Sequence, residues 1–367
     1  MTCRRVVQSI LLLFVLLPVL SQVEAQAGAA DAEVTVLAEG LNQPWSVAEL
    51  PNGDLLITEK PGRLLHRSAD GKLTSIAGVP EVFHASQGGL LDVLVDPDFA
   101  SNQRIFLSWA DGNMAANRTT VASAILRDAQ LVDLEILLAV SPVKAKAAHF
   151  GGKLALLPDG TLLLSVGEGF EYRELAQSLD AELGKILRIQ TDGRPAADNP
   201  FPEQAPRVYT YGHRNPQGLA VDPETGTVWM HEHGPRGGDE LNRVIPGTNY
   251  GWPAITYGVD YSGQLVSPFS EAPGMAQPVT WWVPSIAPSG LAVYRGEQFP
   301  EWQGDLLLGA LVDRKLYRLD MEGGEVIGQS EPFPEISGRV RDVRVTRDGT
   351  ILALTDEGKL YRIRGVR

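Results

Sequence analysis

Cysteine is nearly absent from this chain: of 367 residues only Cys3 carries a thiol. That position falls in the N-terminal segment, so the folded part has no disulfide available and must draw its stability from a core. Long apolar runs are equally scarce. The one such run, Ile10 to Leu20, follows Arg4 and Arg5 and precedes Ala25-Gln26-Ala27. It is shorter than the roughly 20 residues of a membrane span and has the layout of a cleavable secretory leader. The expectation is a leader over residues 1–27 and one domain over 28–367, exported to the periplasm or beyond, with no membrane span.

Positive charge is outnumbered, with 32 Lys and Arg against 45 Asp and Glu, for a net charge of −13. A nucleic-acid partner would want a broad basic surface, so that class is set aside. Helical periodicity is also missing, apart from a short turn expected between Arg173 and Leu183. No strand leads into GxGxxG and a helix, and neither GxSxG nor a Walker A loop occurs, which removes the nicotinamide Rossmann, hydrolase-elbow and P-loop classes.

What the chain does have is a repeated hairpin. Apolar runs flank turn residues at Leu50–Glu59, Val95–Trp109, Leu156–Glu168, Val221–His233, Phe299–Leu311 and Thr346–Asp356. The spacing of roughly 45 to 80 residues begins at the length of a propeller blade. A further strand follows most copies, starting at Gly62, Val121, Leu183, Arg314 and Gly358, and reads as the outer strand of each blade. The fold class expected is all-β, a six-bladed β-propeller of four-stranded antiparallel blades. Glu33–Glu39 has no partner nearby and is expected to complete the last blade and close the ring.

The repeat also supplies a functional map, because hairpin ends opposite the turns collect on one face around the channel. Trp45, Gln87, His149, Glu168, Arg214, Asn215, His231, His233, Ser285, Arg339, Arg341 and Asp356 all fall at those ends. His149 and Glu168 flank the Pro158-Asp159-Gly160 turn at similar distances, so antiparallel pairing brings an imidazole and a carboxylate together. They read as a general base with its orienting acid, or as a structural pair closing a hairpin. Gly151-Gly152 beside them would let a ligand or another backbone come close. Arg214-Asn215, with Arg339 and Arg341 two apart on one side of a strand, suit an anionic ligand; pairing with Asp342 or Glu168 is the alternative. His231 and His233 could be a metal pair, and Gly234-Pro235 could turn carbonyls to a hard cation such as calcium. Glu240, Asp260 and the Tyr250 carbonyl could form a second calcium site.

Six segments taken together resemble the soluble quinoprotein glucose and aldose sugar dehydrogenases. They are SQGGLLDV from Ser86, HFGGKL from His149, YGHRNPQGL from Tyr211, EHGPRGGDELN from Glu232, NYGWP from Asn249 and GRVRDVR from Gly338, in the family's order. The resemblance runs from about Leu41 to Leu360 and implies a six-bladed propeller that holds pyrroloquinoline quinone and calcium on one face. It implies that His149 takes the anomeric proton while hydride passes to the quinone, that Glu168 is its acidic partner, and that Gln87 touches the cofactor or reacting centre. Arg214, Asn215, Arg339 and Arg341 would hold the quinone's three carboxylates, and the Gly234 and Pro235 carbonyls would bind the calcium. The sequence departs from the family at Val312, where a lysine to the quinone is usual and Arg314 is the expected substitute, at Ser285 in place of threonine, and at Ala148 in place of a polar residue. The partners expected are a sugar, an external electron acceptor and, for a homodimer rather than a monomer, a second copy. A calcium-dependent lactone hydrolase and a non-catalytic binding propeller are the alternatives.

Overall fold

Each apolar-turn-apolar repeat folds into the first two strands of a four-stranded antiparallel sheet, and six such sheets form the ring. The computed structural model describes residues 31–366, so the expected leader lies outside the described residues. The inner strands are Pro44–Glu49, Leu90–Val95, Leu154–Leu156, Pro216–Val221, Pro288–Val293 and Val340–Val345. They face a shared axial channel whose mouth on the turn side widens into a cavity of about 520 Å³. In the third blade Leu156 pairs with Leu162 across the Pro158-Asp159-Gly160 turn, as the turn residues require. The fold is the six-bladed propeller expected.

The strands beginning near Gly62, Val121, Leu183, Arg314 and Gly358 are third strands, which corrects their assignment as the outer ones. A fourth lies beyond each, such as Leu73–Ile76 beyond Arg63–Arg67 and Val208–Tyr211 beyond Lys185–Ile189. These rim strands are harder to read because water reaches them. Gln130–Ala139, for example, mixes exposed and buried positions along its length. Ala32–Ala38 pairs antiparallel with Leu360–Gly365 and supplies the sixth blade's outer strand, closing the ring as expected. The helical turn expected after Arg173 forms over Arg173–Gln177. No helix among the described residues is long and apolar enough to cross a membrane.

Side chains on a strand alternate faces, and here both faces are covered by neighbouring blades. Leu162, Leu164 and Val166 pack with Phe106 and Val121 of the second blade, while Leu163 packs with Leu219 and Met230 of the fourth. That explains why the second strands are continuously apolar. An apolar cluster fills each inter-blade gap, including the closing one, where Val47 and Ile57 meet Leu352, Leu354 and Leu360.

Near the axis the apolar packing gives way to a buried charge network. Lys153 Nζ donates to Asp342 Oδ1 at 2.7 Å, and Arg344 donates to Asp342 at 3.1 Å and to Asp92 at 2.8 Å. The same carboxylates accept the backbone N–H groups of Val47 and Leu154. Two cations and two carboxylates therefore tie the inner strands of the first, second, third and sixth blades to one another. Lys153 lies four residues from His149, so this network forms the floor beneath the candidate site.

Candidate active site

Glycine brings the two strand ends of the third blade close enough for His149 and Glu168 to meet. A Cβ on Gly167 would lie 2.4 Å from the His149 carbonyl oxygen, and one on Gly151 would lie 2.5 Å from the Ser165 oxygen. Of the paired glycines, Gly151 therefore admits another stretch of this backbone and Gly152 admits the Leu91 side chain. His149 itself is left-handed at φ 50°, a region that L side chains rarely adopt. Its N–H donates to Gln87 Oε1 at 2.7 Å, so Gln87 holds the backbone of the candidate base.

His149 Nδ1 lies 2.8 Å from Glu168 Oε1, with both residues buried. The second carboxylate oxygen of Glu168 has no partner, and the Glu168 N–H donates to the Arg214 carbonyl. Burial, reinforced by Arg214, His233 and Lys144, holds His149 well below its usual value. Burial pushes Glu168 up to about 7, against the attraction of Arg214. Phe170 meets the His149 ring edge-on at 5.1 Å and stacks on Tyr261 at 6.3 Å.

Arg214 reaches across the same face. Its Nη1 donates to the carbonyls of His233 and Gly234 at 3.0 and 2.7 Å, Nη2 lies 3.3 Å from the Tyr261 hydroxyl, and buried Nε has no acceptor. Asn215 is buried against Gly167. His233 Nε2–H donates to the Pro288 carbonyl, 2.7 Å away, whereas both ring nitrogens of buried His231 lack partners. The Pro288 bond occupies His233 Nε2, so that nitrogen is not available to a metal. Arg339 and Arg341 both hold Asp356, Arg341 through two bonds of 2.7 and 2.8 Å. Burial works against ionisation of Asp356, but the two guanidinium groups keep its carboxyl below the usual range. Their partner is Asp356, rather than the Asp342 or Glu168 named as the alternative.

A pocket of about 770 Å³ opens beside these groups, walled by His233, Gly234, Pro235, Tyr261, Ser285 and Val312. Ser285 donates to Asp239 Oδ2 at 2.6 Å, and Asp239 also accepts from Gly234 N and Ala287 N. Asp239 is thereby occupied, and of the two carbonyls expected to face a cation, that of Gly234 already accepts from Arg214 Nη1. Val312 lies in the wall, exposed. Arg314, expected to stand in for it, pairs instead with Glu357 at 2.8 Å and does not line the pocket. Its left-handed backbone at φ 62° breaks the strand alternation on which that expectation rested.

The second cation site is also rearranged. Glu240 and Tyr250 line a small cavity of about 10 Å³ with Glu232, Trp252 and Thr256. Asp260 is elsewhere, 3.6 Å from Arg173. Burial first, then the Glu232 carboxylate, raises the Glu240 pKa, so the cavity would favour a cation. Among the described residues no cluster of three or more His, Cys, Asp or Glu is arranged to hold a metal ion.

With this geometry in place, the comparisons with known proteins are decisive. Residues 41–362 match the family model for glucose/sorbosone dehydrogenase. The chain belongs to that family. This dehydrogenase-family chain is 38% identical over 349 residues to the aldose sugar dehydrogenase YliI of Escherichia coli K12, covering 92% of this chain and 94% of the relative. A crystal structure of a glucose dehydrogenase superposes with a TM-score of 0.87 at 43% identity, covering 91% of this chain and 99% of that one. The PQQ-bound form of the aldose sugar dehydrogenase from Streptomyces coelicolor superposes with a TM-score of 0.77 at 29% identity, covering 92% and 99%. Membership supports an oxidoreductase acting on a small-molecule substrate. Within this family member, motif reading missed Phe170, Tyr261 and the buried Lys144. Lys144 Nζ lies 3.5 Å over the Phe150 ring and donates to Asn117 Oδ1 and the Lys146 carbonyl. A lysine in an alternating polar loop carries no signal that it will be buried.

Proposed function

We propose that this protein oxidises aldose sugars at the anomeric carbon to lactones with pyrroloquinoline quinone as cofactor. The observation that carries the reading is the buried His149–Glu168 pair standing beside a gathering of arginines in an acidic protein. Arg214, with an unpartnered Nε, and the Arg339–Arg341 pair, sharing one carboxylate, suit a compact polycarboxylate. The PQQ-bound Streptomyces relative supports the same assignment. When bound, the quinone supplies the two-electron acceptor. A calcium ion held at the Pro235 carbonyl, and at that of Gly234 if it is shared with Arg214, would polarise the quinone carbonyl. A second cation would sit between Glu240, Glu232 and Tyr250.

The chain's own part is proton transfer. With Nδ1–H given to Glu168, the other ring nitrogen, Nε2, is the basic one, and it makes no protein hydrogen bond among the described residues. His149 Nε2 takes the proton of the anomeric hydroxyl as C1 gives up its hydride and the C1–O bond becomes a carbonyl. Glu168 stabilises the imidazolium that forms. Phe170 packs edge-on against the imidazole and covers one side of it. The lactone-hydrolase reading needs free carboxylates on the axis, and Asp92 and Asp342 are committed to Lys153 and Arg344 there.

Two outcomes test this reading. Purified protein loaded with pyrroloquinoline quinone and calcium should reduce dye when given glucose or another aldose; no reduction with any aldose, and no retained quinone absorbance, would remove it. The second concerns pH. Neutral His149 is the form that accepts a proton, and its lowered pKa keeps it neutral across the working range. Glu168 must be ionised to take Nδ1–H, and its pKa is pushed up to about 7. Activity should therefore rise with pH through about 7 and level off above it. Glu168→Gln should lower the plateau and erase that limb, whereas an unchanged pH profile would remove Glu168 from the assignment.

A further inference from the structure

At the mouth between the first and sixth blades stands a cation that no motif pointed to. Lys60 follows directly after the second strand of the first blade, Leu55–Glu59. Its backbone is fixed at both ends, with its N–H donating to the Gln43 carbonyl and its own carbonyl accepting from Leu90. The side chain donates once, from Nζ to the Ser86 carbonyl at 2.7 Å. Two of its three N–H groups therefore have no protein acceptor among the described residues.

The neighbourhood of that ammonium is short of negative charge. Arg341 and Asp356 are the charged groups that act on it most. Asp356 is already held by three donors, Arg339 Nε and Arg341 Nε and Nη2. The next carboxylate along, Glu357, is taken by Arg314 and by the Arg339 N–H, and Glu59 is taken by Arg63 and the Asn42 N–H. Lys60, Arg339 and Arg341 thus share one carboxylate, an excess of two positive charges in a chain whose net charge is −13. Holding like charges together in a half-buried corner is unfavourable unless a ligand supplies the missing anion. Burial and Arg341 both lower the Lys60 pKa, Asp356 opposing them, which is the direction expected of a cation lacking its counter-charge.

We infer that Lys60 is an anion-binding residue of the site, presenting its two free N–H groups to a carboxylate of the ligand that Arg339 and Arg341 also face. The inference rests on the quinone reading and names the residue that completes its carboxylate cradle. Lys60 is preorganised for this task, because the bond to Ser86 fixes its head before any ligand arrives. Ser86 precedes Gln87, whose Oε1 holds the His149 N–H, so the loop touching the base and the corner binding the anion share one anchor.

The test is a binding titration on the whole protein, read by quenching of tryptophan fluorescence. Two ligands are compared, pyrroloquinoline quinone and its uncharged trimethyl ester. Lys60→Gln is expected to weaken quinone binding by about tenfold or more, roughly 1.4 kcal/mol, to leave ester binding unchanged, and to reduce the salt dependence of the quinone affinity. Lys60→Arg should retain most of the affinity. Equal quinone binding by wild type and Lys60→Gln would overturn the inference while leaving the cofactor reading intact. Equal losses for quinone and ester would also overturn it, since Lys60 would then act only through the Ser86–Gln87 loop. A wild-type protein that binds neither ligand removes the cofactor reading, and the inference with it.

Discussion

His149→Ala is expected to lower kcat by about 10²- to 10⁴-fold, the usual contribution of a positioned general base, while leaving the affinity for pyrroloquinoline quinone close to that of wild type. The separation follows from the geometry. His149 contacts Gln87 through its backbone N–H, which alanine retains, and contacts Glu168 through its ring, which alanine loses. The cations of the site are supplied by other blades and do not touch the imidazole. One complication is local: φ 50° at this position strains alanine as it does histidine, so the backbone of the loop should be little altered. Dye-reduction kinetics on quinone-loaded protein measure the first effect and a binding titration the second. Wild-type turnover in this variant would show that another group takes the proton, and Lys144 would be the next buried base to examine, since burial lowers it to about 7.

The second large effect lies in the floor of the site. Asp342→Ala removes the carboxylate that accepts from Lys153, Arg344 and the Val47 N–H, and leaves two buried cations facing Asp92 alone. Breaking a buried pair in this way costs about 3–5 kcal/mol, readable as a fall in the denaturant midpoint. The pH dependence has a definite sign. Burial opposes ionisation of Asp342, but Arg344 and Lys153 outweigh it and hold its pKa below the usual value. A carboxyl with a depressed folded-state pKa contributes stability that is present above its unfolded pKa and lost as pH falls through the folded one. The gap between wild type and Asp342→Ala should therefore be full at neutral pH and narrow in acid. A variant as stable as wild type at pH 7 would mean that the four-blade network is not what secures the inner strands.

The architecture was legible because each blade repeats its simplest part. Second strands such as Leu162–Val166 are buried on both faces and carry unbroken apolar runs, and the turns beside them use Pro, Asp and Gly. The rim strands were not legible, since one side of each meets water and the pattern weakens. Pairing of Glu33–Glu39 with the final strand was readable from the lack of any local partner. In the site, His149 and Glu168 could be paired from the sequence because one hairpin carries both. Contacts that cross between blades were out of reach. Nothing near Lys60 announces Ser86, since that pairing depends on how neighbouring blades are placed about the axis. The pairing of Asp356 with Arg339 and Arg341 does not cross blades: one hairpin carries all three, with Val340 opposite Thr355. Arg314 was misjudged for a local reason: its left-handed backbone turns the side chain toward Glu357.

The central claim is that this site removes hydride from the anomeric carbon, and isotope bookkeeping tests it most directly. An aldose carrying deuterium at C1 is turned over by the quinone-loaded protein and the product is analysed by mass spectrometry. The account predicts a lactone, or the acid it hydrolyses to, that has lost the deuterium. An oxidised product that keeps deuterium at C1 would place the chemistry at another hydroxyl and contradict the assignment of His149.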